Sequence, residues 1–167
     1  MAMGNSRVPL GAILAAWDQA SIARSGTDES RWREMSERIA AAAATYGVEQ
    51  LLRGTVFLIG GALDQIGTGG PDGRRIAARF TDVLMAKAAQ WEGLADLTDF
   101  PMVRRVIGVA FEGRDPVAWR DQAGPVPESE VLTMTCALAL IADFVDTVDG
   151  PGACERALLS ALGGALG

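Results

Sequence analysis

The sequence predicts an all-α protein: a single compact bundle of about seven or eight helices around a largely buried central helix at residues 48–66. Three observations point there. Apolar residues recur at three- and four-residue spacing along the 167-residue chain, the period of helices with one face on a core. Gly and Pro clusters punctuate that period, as at residues 67–73 and at Gly150-Pro151. The one stretch that also reads as a strand, residues 102–111, has no second strand to bond, so it is read as a helix.

The elements follow in order. The first helix starts near Pro9, carries Leu10, Ile13, Leu14 and Trp17 on one face, and ends at Gly26. Thr27 or Asp28 then caps a second helix, with Glu29 in the first turn where the helix dipole favours negative charge. Trp32, Met35, Ile39, Ala42, Ala43 and Tyr46 form its apolar stripe, and the opposite face pairs Arg33 with Glu37 and Glu34 with Arg38. Gly47 breaks the period. Residues 48–66 are apolar almost all round, with only Glu49, Arg53 and Asp64 charged, so this helix is expected inside the bundle or in an oligomer interface. Gly54, Gly60 and Gly61 each lower its helix propensity by about 1 kcal/mol relative to Ala. That cost points to another backbone coming close, and it marks the three glycines as interface candidates.

Residues 67–73 are the plainest loop. A fourth helix beyond it carries Ile76, Phe80, Val83, Leu84 and Trp91 on one face, and residues 92–101 read as a connector. Met102, Val103, Val106, Ile107 and Ala110 fit a short fifth helix. Asp115-Pro116 is an N-cap acid followed by Pro at the first helical position, and Gly124 stops the short helix it opens. A long helix then runs from about Glu128 to Val148, with Val131, Met134, Leu138, Ile141, Val145 and Val148 as its core stripe. The last helix carries Leu158, Leu159 and Leu162 and frays at Gly163-Gly164.

With 49% hydrophobic and 22% charged residues, the chain is too apolar for disorder and long enough for one sizeable core. Residues 1–8 read as a disordered N-terminus or a cloning remnant, and residues 9–167 as one helical domain. There is no histidine, which removes Ser-His-Asp and Cys-His catalysis and every His-containing zinc site. The net charge of −6 argues against binding nucleic acid or an anionic membrane surface. The longest charge-free runs, from Arg53 to Asp64 and from Glu130 to Asp143, fall short of the ~20 residues of a spanning helix. Two cysteines, Cys136 and Cys154, are too few for a disulfide framework, and a cytoplasmic protein with reduced thiols is expected.

Charge is unevenly distributed. Residues 1–95 carry ten acids and ten bases, whereas residues 96–149 carry ten acids and four bases. Such an excess either solvates a surface or steers a basic partner toward it.

Four groups of residues are candidate sites. Gly69, Gly70 and Gly73, followed by Arg74 and Arg75 at a helix start, form an anion-binding candidate, although neither the Lys-Ser/Thr pair nor the strand of a phosphate-binding loop is present. Asp143, Asp146 and Asp149 recur every three residues, and the first two are candidates to hold a divalent cation if their face is not simply solvated. Trp17, Trp32, Trp91 and Trp119, with Met35, Met85, Met102 and Met134, either pack the core or line an apolar pocket. Of these Trp119, flanked by charge, fits an interface anchor. Cys136 reads as an inert buried thiol, and Cys154 opens the last helix with Glu155 opposing any dipole effect.

The reading that follows is a non-enzymatic, cytoplasmic helical interaction protein that forms a homo-oligomer and binds a protein partner with a basic surface. Nothing calls for a cofactor. The rival readings are a small-molecule module with a Trp- and Met-lined pocket, and a carboxylate-dependent enzyme with Mg²⁺ on Asp143 and Asp146.

Overall fold

A computed structural model describes residues 8–25, 30–66, 73–90 and 101–166, which form eight α-helices and no strand. They are α1 (Leu10–Ser25), α2 (Ser30–Tyr46), α3 (Val48–Asp64), α4 (Gly73–Gln90), α5 (Pro101–Phe111), α6 (Pro116–Gln122), α7 (Glu128–Asp149) and α8 (Ala153–Leu166). The expected Gly26 stop, the Thr27 or Asp28 cap with Glu29, most of the 67–73 loop, Trp91 and residues 92–100 lie outside the described residues.

The expected central helix is central. The α3 helix packs on α1, α2, α5, α6, α7 and α8, and its Leu51, Leu52, Val56, Leu58, Ile59, Ala62 and Leu63 are almost wholly buried. It enters through Gly47, whose φ of 89° lies in the left-handed region that a side chain disfavours. It stops at Asp64, and Gln65 and Ile66 form a turn instead of the expected last residues.

The α7 helix shares the centre. Its predicted stripe includes Val148, yet Val148 is 65% exposed, while residues 133–142 are buried on every side. The stripe reading understates this helix because α1, α2, α3, α4, α5 and α8 all pack on it. By length and composition α7 alone among the described helices is apolar enough to cross a membrane. It is longer than its charge-free run because the helix continues through Glu130 and Asp143, and 67% of its apolar window is buried within the bundle.

The α1 helix packs on a face only partly the expected one: Ile13 and Trp17 lie against the core, but Leu10 and Leu14 do not. Ala12, Ile13, Ala16, Gln19, Ala20 and Ala23 are buried, whereas Leu10 is 44% and Leu14 51% exposed. Small residues win the inward face because α1 lies close against α3. A β-carbon on Gly54 would come within 3.0 Å of the Ala12 carbonyl oxygen. On α4 the buried stripe is Ala77, Phe80, Thr81, Leu84 and Ala88, and the expected Ile76 and Val83 lie exposed. Phe80 contacts Phe111 and Phe144 at ring-centroid distances of 5.5 and 5.1 Å, joining α4, α5 and α7. On α8, Cys154, Leu158 and Leu162 face inward, Leu159 faces out, and the helix continues past Gly163-Gly164 to Leu166.

Candidate functional site

The α6–α7 connector borders a small cleft against α3. Asp115 caps α6 as the sequence predicts, its Oδ1 accepting from the amides of Val117 at 3.0 Å and Ala118 at 3.3 Å. Pro116 then packs where a β-carbon on Gly60 would meet its ring at 3.0 Å, which sets α6 against α3. From α6 the Arg120 side chain turns inward, 2% exposed. Its Nε and Nη2 donate to the two carboxylate oxygens of Glu130 at 2.7 and 3.0 Å. Nη1 and Nη2 also donate to the carbonyls of Gly124 at 2.9 Å and Pro125 at 3.1 Å. Gly124 has a φ of 108°, a left-handed conformation suited to glycine that turns the connector back over the guanidinium. A buried charge needs both an ion partner and satisfied hydrogen bonds, and Arg120 has both.

Beside this clamp lies a cleft of about 240 Å³ lined by Glu49, Leu52, Arg53, Arg120, Asp121, Gly124, Pro125 and Val126. Arg53, 5% exposed, places Nε 3.2 Å from Asp121 Oδ1 and donates from Nη1 to Gln50 at 2.9 Å. Its two arginines are thus neutralised by Glu130 and Asp121. Glu49 remains at the rim, exposed, with no hydrogen bond or ion pair to any described residue. Among the described residues the cleft therefore has one carboxylate without a paired base, Glu49, beside an apolar wall of Pro125 and Val126.

The other candidates lie elsewhere. Asp146 accepts from Arg24 Nη2 at 2.6 Å and from the Cys154 amide at 2.9 Å, so it ties α1 to α7 and caps α8. Asp143 accepts from Lys87 at 2.7 Å. Both carboxylates are therefore engaged with protein cations, and no cluster of three or more His, Cys, Asp or Glu able to hold a metal occurs among the described residues. Burial pushes the Asp146 carboxyl up, but the Cys154 amide, the Arg24 guanidinium and the Gly152 amide outweigh it and hold it below the usual range. Gly69 and Gly70 lie outside the described residues; Gly73, Arg74 and Arg75 open α4, with Arg75 exposed. The three glycines of α3 find their close neighbours within the chain, at Ala12, Pro116 and Leu158. Trp119 is half-buried against the core.

The described tryptophans and methionines are spread over α1, α2, α4, α5, α6 and α7. Trp32 is buried beneath the Arg31 guanidinium, 4.5 Å from its ring centroid, and Met35 and Met134 are fully buried. None of them lines the cleft. Burial raises Cys136 to about 12, only partly offset by Arg31. Burial, Asp146 and Glu155 raise Cys154 to about 11, against the opposing pull of Arg24. Both thiols are thus protonated at neutral pH and withdrawn from solvent.

Six of the ten acids in residues 96–149 are engaged within the fold. Asp115 caps a helix, Glu112 lies 3.6 Å from Arg114, and Asp121, Glu130, Asp143 and Asp146 are paired with bases. Three of those bases, Arg24, Arg53 and Lys87, come from the balanced first part of the chain. Sequence reasoning missed Arg53 and Arg120 as site residues, although a lone base in an otherwise apolar helix signals a buried charge in need of a partner. No family model matches the chain, and the searches of curated proteins and of solved structures likewise found no significant match.

Proposed function

We propose that this chain is a non-enzymatic helical interaction module that binds a protein partner through a basic side chain and associates with copies of itself. The observation that supports partner binding is the α3–α6 cleft with its one uncompensated carboxylate, Glu49. A Lys or Arg side chain suits it, laying its aliphatic stem on Pro125 and Val126 and its cation against Glu49 and the outer edge of Asp121. The cleft is preorganised, because Arg120 and Arg53 hold its floor without help from a ligand. Glu49 also stands in the first turn of α3, where it faces solvent and is oriented by the helix.

The test is a titration of the isotope-labelled protein with short peptides centred on Lys, Arg or norleucine, followed by amide NMR. Lys- and Arg-centred peptides are expected to shift the amides of residues 49–53 and 121–126, and Glu49→Gln to abolish the shifts. Equal response to the norleucine peptide, or none to any peptide at millimolar concentration, would reject a basic partner at this cleft.

A further inference from the structure

The outer surface of the α1–α2 hairpin changes character along its length. Tyr46 lies over Gly11, where a β-carbon would overlap the ring, and further along Gln19 Nε2 donates to the Arg38 carbonyl at 3.4 Å. The two helices are therefore antiparallel. At the solvent-facing seam Asp18 and Arg38 pair at 3.5 Å, both side chains more than half exposed. One turn before Asp18 comes Leu14, and one to two turns beyond Arg38 come Ala41, Ala42 and Thr45. Beyond the Asp18–Arg38 pair the seam thus passes into Leu14 and Leu10 alongside Ala41, Thr45 and Tyr46. Leu10 is 44%, Leu14 51% and Tyr46 36% exposed. Residues 8–17 and 39–48 contain no charge at all.

We infer that this uncharged end of the α1–α2 hairpin is where a second copy of the chain docks, the leucines of each copy packing on the alanine surface of the other. This rests on the self-association in the reading above. A copy fits because ridge and shelf occur on the same patch, the condition for a two-fold interface. Charge is self-complementary as well: Asp18 and Glu34 flank Arg38 on the bordering rim, so a two-fold axis can oppose acid to base at both edges. A partner of one strong charge finds nothing to pair with on the patch itself. Only three large side chains are offered, which places the contact in the weak, concentration-dependent class.

Sedimentation equilibrium from about 10 µM to about 1 mM tests this directly. The wild-type chain is expected to form dimers, and Leu14→Asp to weaken them by at least about tenfold, because the new charge would be desolvated without a partner. Ala41→Glu, at an exposed alanine, repeats the test without touching a leucine, and circular dichroism verifies that both variants are folded. Val148→Asp, at an exposed apolar residue on α7, is expected to leave the dimer intact. Dimers that survive both Leu14→Asp and Ala41→Glu would overturn this surface while leaving self-association standing. A monomer throughout the range would overturn both, and would leave the Glu49 cleft and its peptide test unaffected.

Discussion

Arg120 holds the α6–α7 corner together. It joins α6, the connector and α7 through four hydrogen bonds, two of them to a carboxylate that is itself 9% exposed. Arg120→Met would strand Glu130 in a desolvated position and is expected to cost about 3–5 kcal/mol in urea unfolding. The Arg120→Met/Glu130→Met double variant is expected to recover most of that loss, because an apolar pair of similar volume carries no desolvation penalty. A double variant no more stable than the single would show that the carbonyl contacts to Gly124 and Pro125 matter more than the ion pair. Neither residue is legible as a partner in the sequence. They stand ten positions apart across a turn whose path depends on Gly124, so no helical spacing brings them together.

At the scale of the element, legibility divides by whether local chemistry or a neighbour decides. The start of α6 was readable because Asp115 and Pro116 act on the backbone within their own turn. The stripe of α2 was readable from Trp32 through Ile39 because that part of the helix has one face inward, whereas Tyr46 at its end lies exposed. The inward face of α1 was readable only in part, because an alanine face beats a leucine face only where the opposing helix has a glycine to receive it. Gly54 is that glycine, and its neighbour is main chain, which cannot swing aside. Gly54→Ala is expected to cost about 1–3 kcal/mol through overpacking. Gly61→Ala meets only the tip of Leu158 at 3.0 Å, and rotation of that side chain leaves the gain in helix propensity, about 1 kcal/mol, to offset the strain. Thermal melts of the two variants are therefore expected to show a larger loss for Gly54→Ala than for Gly61→Ala; equal losses would mean that α8 is held as rigidly as α1.

Across the whole molecule, ion pairs fasten the balanced first part of the chain to the acidic third quarter. Arg24 and Asp146 meet across 122 positions of sequence and Lys87 and Asp143 across 56, separations at which no pattern predicts a partner. The charge asymmetry was visible in the composition; its use as internal fastening was not. Asp146 makes the fastening sensitive to acid. Its carboxyl is held below the ordinary value of 3.8, so the folded state favours the charged form more than the unfolded chain does. The stabilisation is fully present above that ordinary value and is lost as pH falls through the lowered one. Asp146→Asn is expected to lower the melting temperature near neutrality and to close the gap with wild type as pH falls below 3.8 and through the lowered value. A gap that stays constant over that range would assign the effect of the variant to lost packing.

The shared centre of α3 and α7 also has a consequence in time. The α3 helix ends at Asp64 and α7 begins only at Glu128, so roughly sixty residues of synthesis separate the two. At about 5–20 residues per second, the most apolar early helix waits several seconds for the helix that covers it. During that interval Arg24, Arg53 and Lys87 have emerged ahead of the acids that neutralise them. A nascent chain of this design is a natural client for whatever shields greasy segments at the ribosome exit, and slowing translation between α3 and α7 should lower its soluble yield.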